Sequence, residues 1–149
     1  MNKSDKLDEL RLEVGMVADQ ALTRLDFYFG IINSIGKHIP DHFALAIYIC
    51  EDYFYSCIAS YSDVTEIKRE KFGDGVFSIC SIRGKIVITN EKGKHKAYAP
   101  FYEGQQQIGV FYVECSNSEY DVTEEDLIFL KEIIRYIEIK GQRYKKSFN

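Results

Sequence analysis

The sequence contains no tryptophan, only two prolines and no long uninterrupted hydrophobic stretch. No apolar run approaches the length of a membrane-spanning helix, and residues 1–15 are charged and lack the apolar segment of a signal peptide. A large excess of one charge is also missing, because 19 basic and 23 acidic residues give a formal net charge of −4. Without a basic field to attract nucleic acid or an anionic membrane, we expect a soluble, cytoplasmic protein that binds neither.

Familiar catalytic and metal-binding motifs are absent too. The chain has four cysteines, Cys50, Cys57, Cys80 and Cys115, and three histidines, His38, His42 and His95. No Cys-x-x-Cys pair occurs, so in a reducing compartment we expect free thiols. The Cys and His spacing matches no zinc site, and neither a P-loop nor a Ser-His-Asp arrangement is present. We therefore predict no metal and no cofactor.

A chain of 149 residues is the size of one domain with its own core, so we treat residues 1–149 as a single domain. The only basic concentration is the tail at residues 141–149, which is typical of a solvated chain end.

The hydrophobic periodicity predicts helices at both ends of the chain. Apolar residues recur every three or four positions over residues 4–39, which indicates one long helix or two helices broken near residues 25–29, beginning at Ser4 and ended by Pro40. Near the C-terminus, Thr123 is a good N-cap with Asp126 at N3 in a capping-box-like position, and Gly141 is placed to end the last helix.

Between these helices, two hairpins and a short helix are predicted. The first hairpin joins residues 43–50 to 53–60 through Glu51-Asp52, which would pair Cys50 with Tyr53 and Ala46 with Cys57. Cys50 and Cys57 would then lie roughly 13 Å apart along the strands, too far for a disulfide. The second hairpin joins residues 97–102 to 108–115. The order predicts an α+β fold, a central antiparallel sheet packed on the N- and C-terminal helices.

Both faces of the first hairpin are apolar, so we expect cover on both sides of the sheet. The short helix, residues 76–82, follows a Gly73-Asp74-Gly75 turn and is stopped by Gly84. Glycines in such a turn let another group approach the backbone. The free N–H groups of the helix start can hold an anion or a ligand carbonyl, although most Gly-x-Gly turns are ordinary turns.

Several segments in this order resemble the GAF domain family of small-molecule sensors, over residues 15–140. They are the first hairpin, Gly73-Asp74-Gly75-Val76, the strand Tyr98-Ala99-Pro100-Phe101, the strand Gln107-Ile108-Gly109-Val110-Phe111-Tyr112-Val113, and Tyr120-Asp121 before the last helix. The resemblance implies a pocket between the sheet and the short helix.

In that pocket the helix start would offer the backbone N–H groups of Val76, Phe77 and Ser78. The facing wall would be Tyr98, Ala99, Pro100 and Phe101, and the aromatic walls Tyr48, Tyr53 and Tyr55. Apolar walls with a few polar groups describe a ligand site, whereas the alternative is that these tyrosines pack and hydrogen-bond in a core.

Two branches of the family suggest specific activities. The resemblance to the single-domain nitrate receptor points to Val76, Phe77, Ala99, Pro100 and Phe101 as anion-site positions, but that receptor also uses a tryptophan wall, and Phe77 is bulky enough to fill the site. The segment between the short helix and the proline-bearing strand is also short, which favours a small ligand or none.

The second branch is free methionine-(R)-sulfoxide reductase, which uses a cysteine where this chain has Phe77, with others in stretches matching residues 67–71 and 91–96. Those stretches contain no cysteine here, so we expect no enzyme.

We therefore predict a non-catalytic sensor or regulatory domain that binds a small molecule or anion, nitrate being one candidate. It would signal through a partner such as a sensor kinase or regulator, with the terminal helices as the contact surface and a homodimer as one such arrangement. The alternative is a ligandless interaction or dimerisation module, and the reductase is a third reading.

Overall fold

A computed structural model of the chain describes residues 2–144. The helices are α1 (Lys3–Gly15), α2 (Val17–Gln20), α3 (Arg24–Gly36), α4 (Val76–Arg83) and α5 (Glu124–Gly141), followed by a 3-10 turn at Gln142–Tyr144. The strands are β1 (Phe43–Glu51), β2 (Phe54–Tyr61), β3 (Arg69–Lys71), β4 (Val87–Glu91), β5 (Lys94–Glu103) and β6 (Gln106–Ser116). The predicted α+β class is confirmed.

The N-terminal helical region is divided differently from the prediction. Asn2, not Ser4, caps α1, and its side chain accepts a hydrogen bond from the Asp5 amide at 2.9 Å. The break before α3 lies at residues 21–23 rather than 25–29, because the Thr23 hydroxyl caps a new helix by accepting from the Asp26 amide at 3.1 Å. Since α3 ends at Gly36, Pro40 lies beyond the helix instead of ending it.

The six strands form one antiparallel sheet in the order β3-β2-β1-β6-β5-β4. The two predicted hairpins, β1–β2 and β5–β6, are therefore joined at the centre of the sheet by pairing of β1 with β6. Gly109 on β6 permits this contact, since a Cβ there would lie 2.2 Å from the Tyr48 carbonyl oxygen on β1.

The first hairpin turns one residue later than predicted. Asp52 and Tyr53 form the turn with φ of 52° and 67°, and Glu51 pairs with Phe54. Two consecutive residues with positive φ match the right-handed twist of the flanking strands. The predicted partner assignments are wrong as a result, because Cys50 pairs with Tyr55 and Cys57 pairs with Tyr48.

Both sheet faces are covered, as predicted. The face toward α1, α3 and α5 carries residues such as Leu45, Ile47 and Phe111 in the larger core. The other face carries Ala46, Tyr48 and several more aromatic residues in a second core with α4. Because neighbouring strand residues point to opposite faces, one sheet supports two chemically different layers.

The start of α5 is tied to the start of α1. The Asp126 carboxylate accepts from the Thr123 backbone N–H at 2.8 Å, the reciprocal part of the predicted capping box. The same carboxylate binds the Lys3 ammonium at 2.8 Å.

At its other end, α5 is also held to the N-terminal helices. The helix ends at Gly141. Beyond it, Tyr144 is buried, and its hydroxyl donates to the Ala18 carbonyl at 2.9 Å. This part of the predicted solvated tail is therefore packed, and residues 145–149 lie outside the described residues. Within residues 2–144, no helix combines the length and apolarity needed to cross a membrane.

Candidate functional site

The turn before α4 favours glycine at Gly73, where φ is positive, and packs closely against Glu70 at Gly75. Gly73 has φ of +96°, and its N–H donates to the Ser78 hydroxyl at 2.6 Å. At Gly75 a Cβ would lie 2.3 Å from the Glu70 carboxylate. The turn thus brings β3 against the start of α4, while Gly84, with φ of +65°, ends the helix as predicted.

Phe77 fills the space between α4 and the sheet. Its side chain is 0 % exposed, and its ring centroid lies 4.4 Å from that of Tyr48, 5.3 Å from Tyr98, 5.5 Å from Tyr55 and 6.5 Å from Tyr112. We call Phe77 and these four tyrosines the aromatic cluster. The ring of Phe77 occupies the space between the sheet and α4 in which a ligand pocket was predicted.

The structure brings together most, but not all, of the predicted site residues. Val76, Tyr48, Tyr55 and Tyr98 pack in the second core with Phe77, and Ser78 is buried at the same helix start. Pro100 is buried and lies on the same face of β5 as Tyr98, because residues two apart on a strand share a face.

Three predicted wall residues lie elsewhere. The side chains of Ala99 and Phe101 point to the opposite face and belong to the larger core, because side chains alternate along β5. Tyr53 is 80 % exposed, since it lies in the first hairpin's turn.

A loop at residues 62–68 closes over the aromatic cluster through tyrosine hydroxyls. Tyr48 donates to the Ile67 carbonyl at 2.9 Å, and Tyr98 donates to the Glu66 carboxylate. Tyr112 donates to Glu114 at 2.8 Å, and that carboxylate also accepts from the Thr65 amide at 2.8 Å. The loop therefore covers the cluster as a fixed lid.

Sequence reasoning missed Tyr112, Glu114 and Glu66. The available signal was the period of two along β6, which places Tyr112 and Glu114 on one face of the strand. Tyr112 is the residue that pairs with Tyr98 on β5. Glu66 carried no such signal, because only the folded loop places it beside Tyr98.

Charges on the lid are balanced by lysines from β5. Lys94 lies 3.4 Å from the Glu114 carboxylate, which is only 1 % exposed. Lys96 lies 3.4 Å from Glu91 and 3.8 Å from Glu66. A cation and several hydrogen-bond donors therefore compensate the Glu114 carboxylate for its burial beneath the lid.

The environment of the tyrosines keeps their hydroxyls protonated. Burial raises the pKa of Tyr48, Tyr98 and Tyr112 well above the usual value for a phenol. The nearby carboxylates of Glu66 and Glu114 add to that rise of the pKa. These phenols are therefore hydrogen-bond donors and not proton-transfer bases.

The start of α4 has acidic surroundings. Burial raises the pKa of Glu70 above its usual range, and the charges of Glu66 and Asp74 raise it further. Three carboxylates oppose the attraction that the positive end of a helix dipole has for anions. This electrostatic setting disfavours nitrate at the predicted position.

The cysteines lack the features of reactive thiols. All four are free, and burial raises the pKa of both Cys80 and Cys115 to about 11. Burial also raises the pKa of Cys50 and Cys57. Because the thiolate is the nucleophile, a raised thiol pKa suppresses its reactivity.

The observed hairpin register corrects the predicted separation of Cys50 and Cys57. The pairs Tyr48–Cys57 and Cys50–Tyr55 put the two cysteines on diagonal positions, for which the typical separation is about 7–8 Å. That spacing is closer than the expected one, but a disulfide would still require backbone movement. In residues 2–144, no three His, Cys, Asp or Glu side chains are grouped closely enough to hold a metal ion.

A second space lies on the other face of the sheet. A partly open cavity of about 330 Å³ is lined by α1, the end of α3, the adjoining part of the sheet and the start of α5. Its walls are nearly all apolar, and they include Leu7, Leu10, Phe111 and Phe129. No sequence pattern predicted it.

Comparison with known proteins identifies the fold. No family model matches this sequence, and no curated protein is a significant match. Among solved structures, a putative GAF sensor protein from Burkholderia vietnamiensis superposes with a TM-score of 0.80 at 12 % identity, over 97 % of this chain and 94 % of that one.

Two further structures superpose over nearly their whole length. The GAF domain of a phosphoenolpyruvate-protein phosphotransferase from Coxiella burnetii gives a TM-score of 0.76 at 18 % identity, over 99 % of this chain and 100 % of that one. Free methionine-R-sulfoxide reductase from Neisseria meningitidis, in complex with its substrate, gives 0.79 at 14 % identity, over 99 % and 96 %. The chain has the GAF domain fold, as the resemblance implied.

Proposed function

We propose that this protein is a non-catalytic regulatory domain that acts on a partner protein. The space between α4 and the sheet, which we call the α4 chamber, is closed by Phe77. The observation that carries the proposal is the complete burial of the Phe77 ring among four tyrosine rings. The GAF fold supports a sensor or regulatory role at this coarse level. A filled chamber favours regulation through protein contacts, the interaction module considered from the sequence.

The N-terminal helices offer a surface for such contacts. Several apolar side chains on and between α1 and α3 are exposed: Leu12, Met16, Leu22, Leu25 and Phe29. Exposed apolar groups on neighbouring helices are typical of protein interaction sites. The partner would be a sensor kinase, another regulator or a second copy of this chain.

A ligand-binding sensor is the second candidate. It is favoured by the buried Tyr55 hydroxyl, whose polar neighbours are the side chains of Ser81 and Cys50. A small molecule reaching that hydroxyl and the N–H groups at the start of α4 would have to displace the Phe77 ring. The carboxylates of Glu66, Glu70 and Asp74 favour a neutral or cationic molecule over nitrate at this site.

Ligand screening of the wild-type protein distinguishes these two candidates. Thermal unfolding would be measured with nitrate, nitrite, amino acids and nucleotides. A ligand at a hundredfold its Kd stabilises the folded state by about 2.7 kcal/mol. We expect no stabilisation from this set, and a saturable shift with any member would overturn the closed chamber.

The absence of catalysis is tested on free methionine sulfoxide. The protein, with thioredoxin or dithiothreitol as reductant, is expected to show no consumption of the sulfoxide, because its thiol pKa values are raised by burial. Matched Cys80→Ser and Cys115→Ser variants serve as controls. Turnover that disappears in either variant would contradict the non-catalytic proposal.

A further inference from the structure

The cavity on the helical face of the sheet is too large to be a packing defect. Protein interiors are close-packed, with few voids larger than one water molecule. This cavity measures about 330 Å³, whereas an apolar cavity of about 150 Å³ already binds benzene. Small-molecule sites begin at about 300 Å³. The volume alone therefore suits a ligand and not a bridging water.

The position of the cavity separates it from the α4 chamber. Its sheet wall is formed by Leu45, Phe111 and Val113, whose neighbours Ala46, Val110 and Tyr112 point to the opposite face and surround Phe77. Its helical walls are formed by Leu7 and Leu10 of α1 and by Phe129 of α5. A molecule bound here would touch both terminal helices without contacting α4.

The polar groups of the cavity are confined to one end. Lys3, Lys6, His95 and Asp126 are among its lining residues. His95 pairs with Cys115 across the strands, and the Cys115 thiol lies within the electrostatic influence of Lys3 and Asp126. The cavity therefore has a polar end, at the start of α1 and α5, and an apolar interior.

One charged group at the polar end is available to a ligand. His95 lines this end, but its Nδ1 atom is buried and does not face the cavity. Lys6 is exposed and forms no ion pair within the described part of the chain, whereas Lys3 is held by Asp126 at 2.8 Å. The uncompensated charge at this end is positive, so an anionic head group fits it.

We infer that this cavity binds a medium-chain monocarboxylate, a short apolar chain with one anionic head group. The chain would lie between Leu10 and Phe111, and the carboxylate would accept from the Lys6 ammonium at the polar end.

Octanoate is the probe, with octanol and acetate as controls for the head group and for the chain. Calorimetric titration of the wild-type protein is expected to show saturable octanoate binding, weaker octanol binding and no acetate binding. Lys6→Gln should weaken octanoate about two- to fivefold and leave octanol unchanged. Equal loss for both ligands would overturn the assignment of the head group.

A matched pair of substitutions on α1 locates the site. Leu10→Phe adds a ring inside the cavity and should weaken octanoate by about tenfold or more. Leu12→Phe makes the same change on the solvent side of the helix, where Leu12 is 73 % exposed, and should bind like the wild type. Unchanged affinity in a folded Leu10→Phe variant would overturn the proposal.

Methyl NMR of the wild-type protein provides a test that needs no variant. Octanoate should shift the methyl signals of Leu7, Leu10 and Val113 and leave those of Val76 and Ile79 at α4 unchanged. Shifts confined to α4, or no binding up to the solubility limit, would overturn the inference. Shifts confined to α4 would also contradict the closed chamber, whereas a lack of octanoate binding leaves it unaffected, so the two proposals fail separately.

Discussion

Replacing Phe77 by alanine tests the closed chamber most directly. The ring is fully buried and contacts four tyrosine rings, the nearest of them with a centroid separation of 4.4 Å. Truncation of a buried phenylalanine to alanine costs about 3–5 kcal/mol, because apolar contact is lost and a cavity remains. A domain of this size has about 5–15 kcal/mol of stability, so Phe77→Ala should fold but lose a large share of that free energy.

Two control variants separate burial from the general cost of losing a ring. Phe77→Leu keeps most of the volume and should cost about 1–2 kcal/mol, since it loses mainly the ring contacts. Phe72 stacks on Tyr55 at 6.1 Å but is 37 % exposed, so Phe72→Ala should cost about 1 kcal/mol. The expected order of destabilisation is therefore Phe77→Ala, then Phe77→Leu and Phe72→Ala.

The free energy of unfolding would be measured by urea titration at 25 °C, with the midpoint compared at unchanged slope. Far-UV circular dichroism is the probe, because the chain has no tryptophan. Benzene should stabilise Phe77→Ala more than the wild type, because the variant adds a second apolar cavity to the one on the helical face of the sheet. If Phe77→Ala lowers the free energy of unfolding by less than about 1 kcal/mol, the chamber is not closed by this ring, because truncation of a buried phenylalanine costs about 3–5 kcal/mol.

Two further predictions concern the carboxylates around the lid. The pKa of Glu70 is raised in the folded state, so the folded protein binds a proton more tightly than the unfolded chain, and stability falls as pH rises from the usual glutamate pKa through the folded value. Glu70→Gln should therefore reduce the fall in the free energy of unfolding between pH 4 and pH 7, as measured by urea titration of variant and wild type at both pH values. An unchanged pH profile would count against the burial of that charge. Glu114→Ala should cost about 1.5–3 kcal/mol because hydrogen bonds to a charged acceptor are lost, and hydrogen exchange at the Thr65 amide should accelerate; continued protection there would show that Glu114 does not hold the lid.

Much of the fold follows from the sequence because its signals are local. The period of two in β1 and β2 predicted strands buried on both faces, and Thr123 with Asp126 predicted the start of α5. Gly84 predicted the end of α4, since its positive φ suits glycine. Each of these features depends on residues within one or two turns of the chain, so neighbouring residues suffice to specify it.

The candidate site was only partly predictable, because strand register and ring placement are set by distant groups. A turn at Asp52-Tyr53 instead of Glu51-Asp52 changed the pairing of both hairpin cysteines. The sequence identified Phe77 as bulky enough to fill the pocket, but only packing against four tyrosines from four strands shows that it does so.

The sequence by itself determined the fold class, the order of the elements and the turn that places Phe77 at the start of α4. Only the tertiary structure decided that the chamber is closed and that a cavity of about 330 Å³ lies on the opposite face. The physical reason is that periodicity and capping fix which face of an element is apolar, whereas empty volume depends on how far apart the packed elements lie. That spacing is a property of the assembled helices and sheet, and no single segment encodes it.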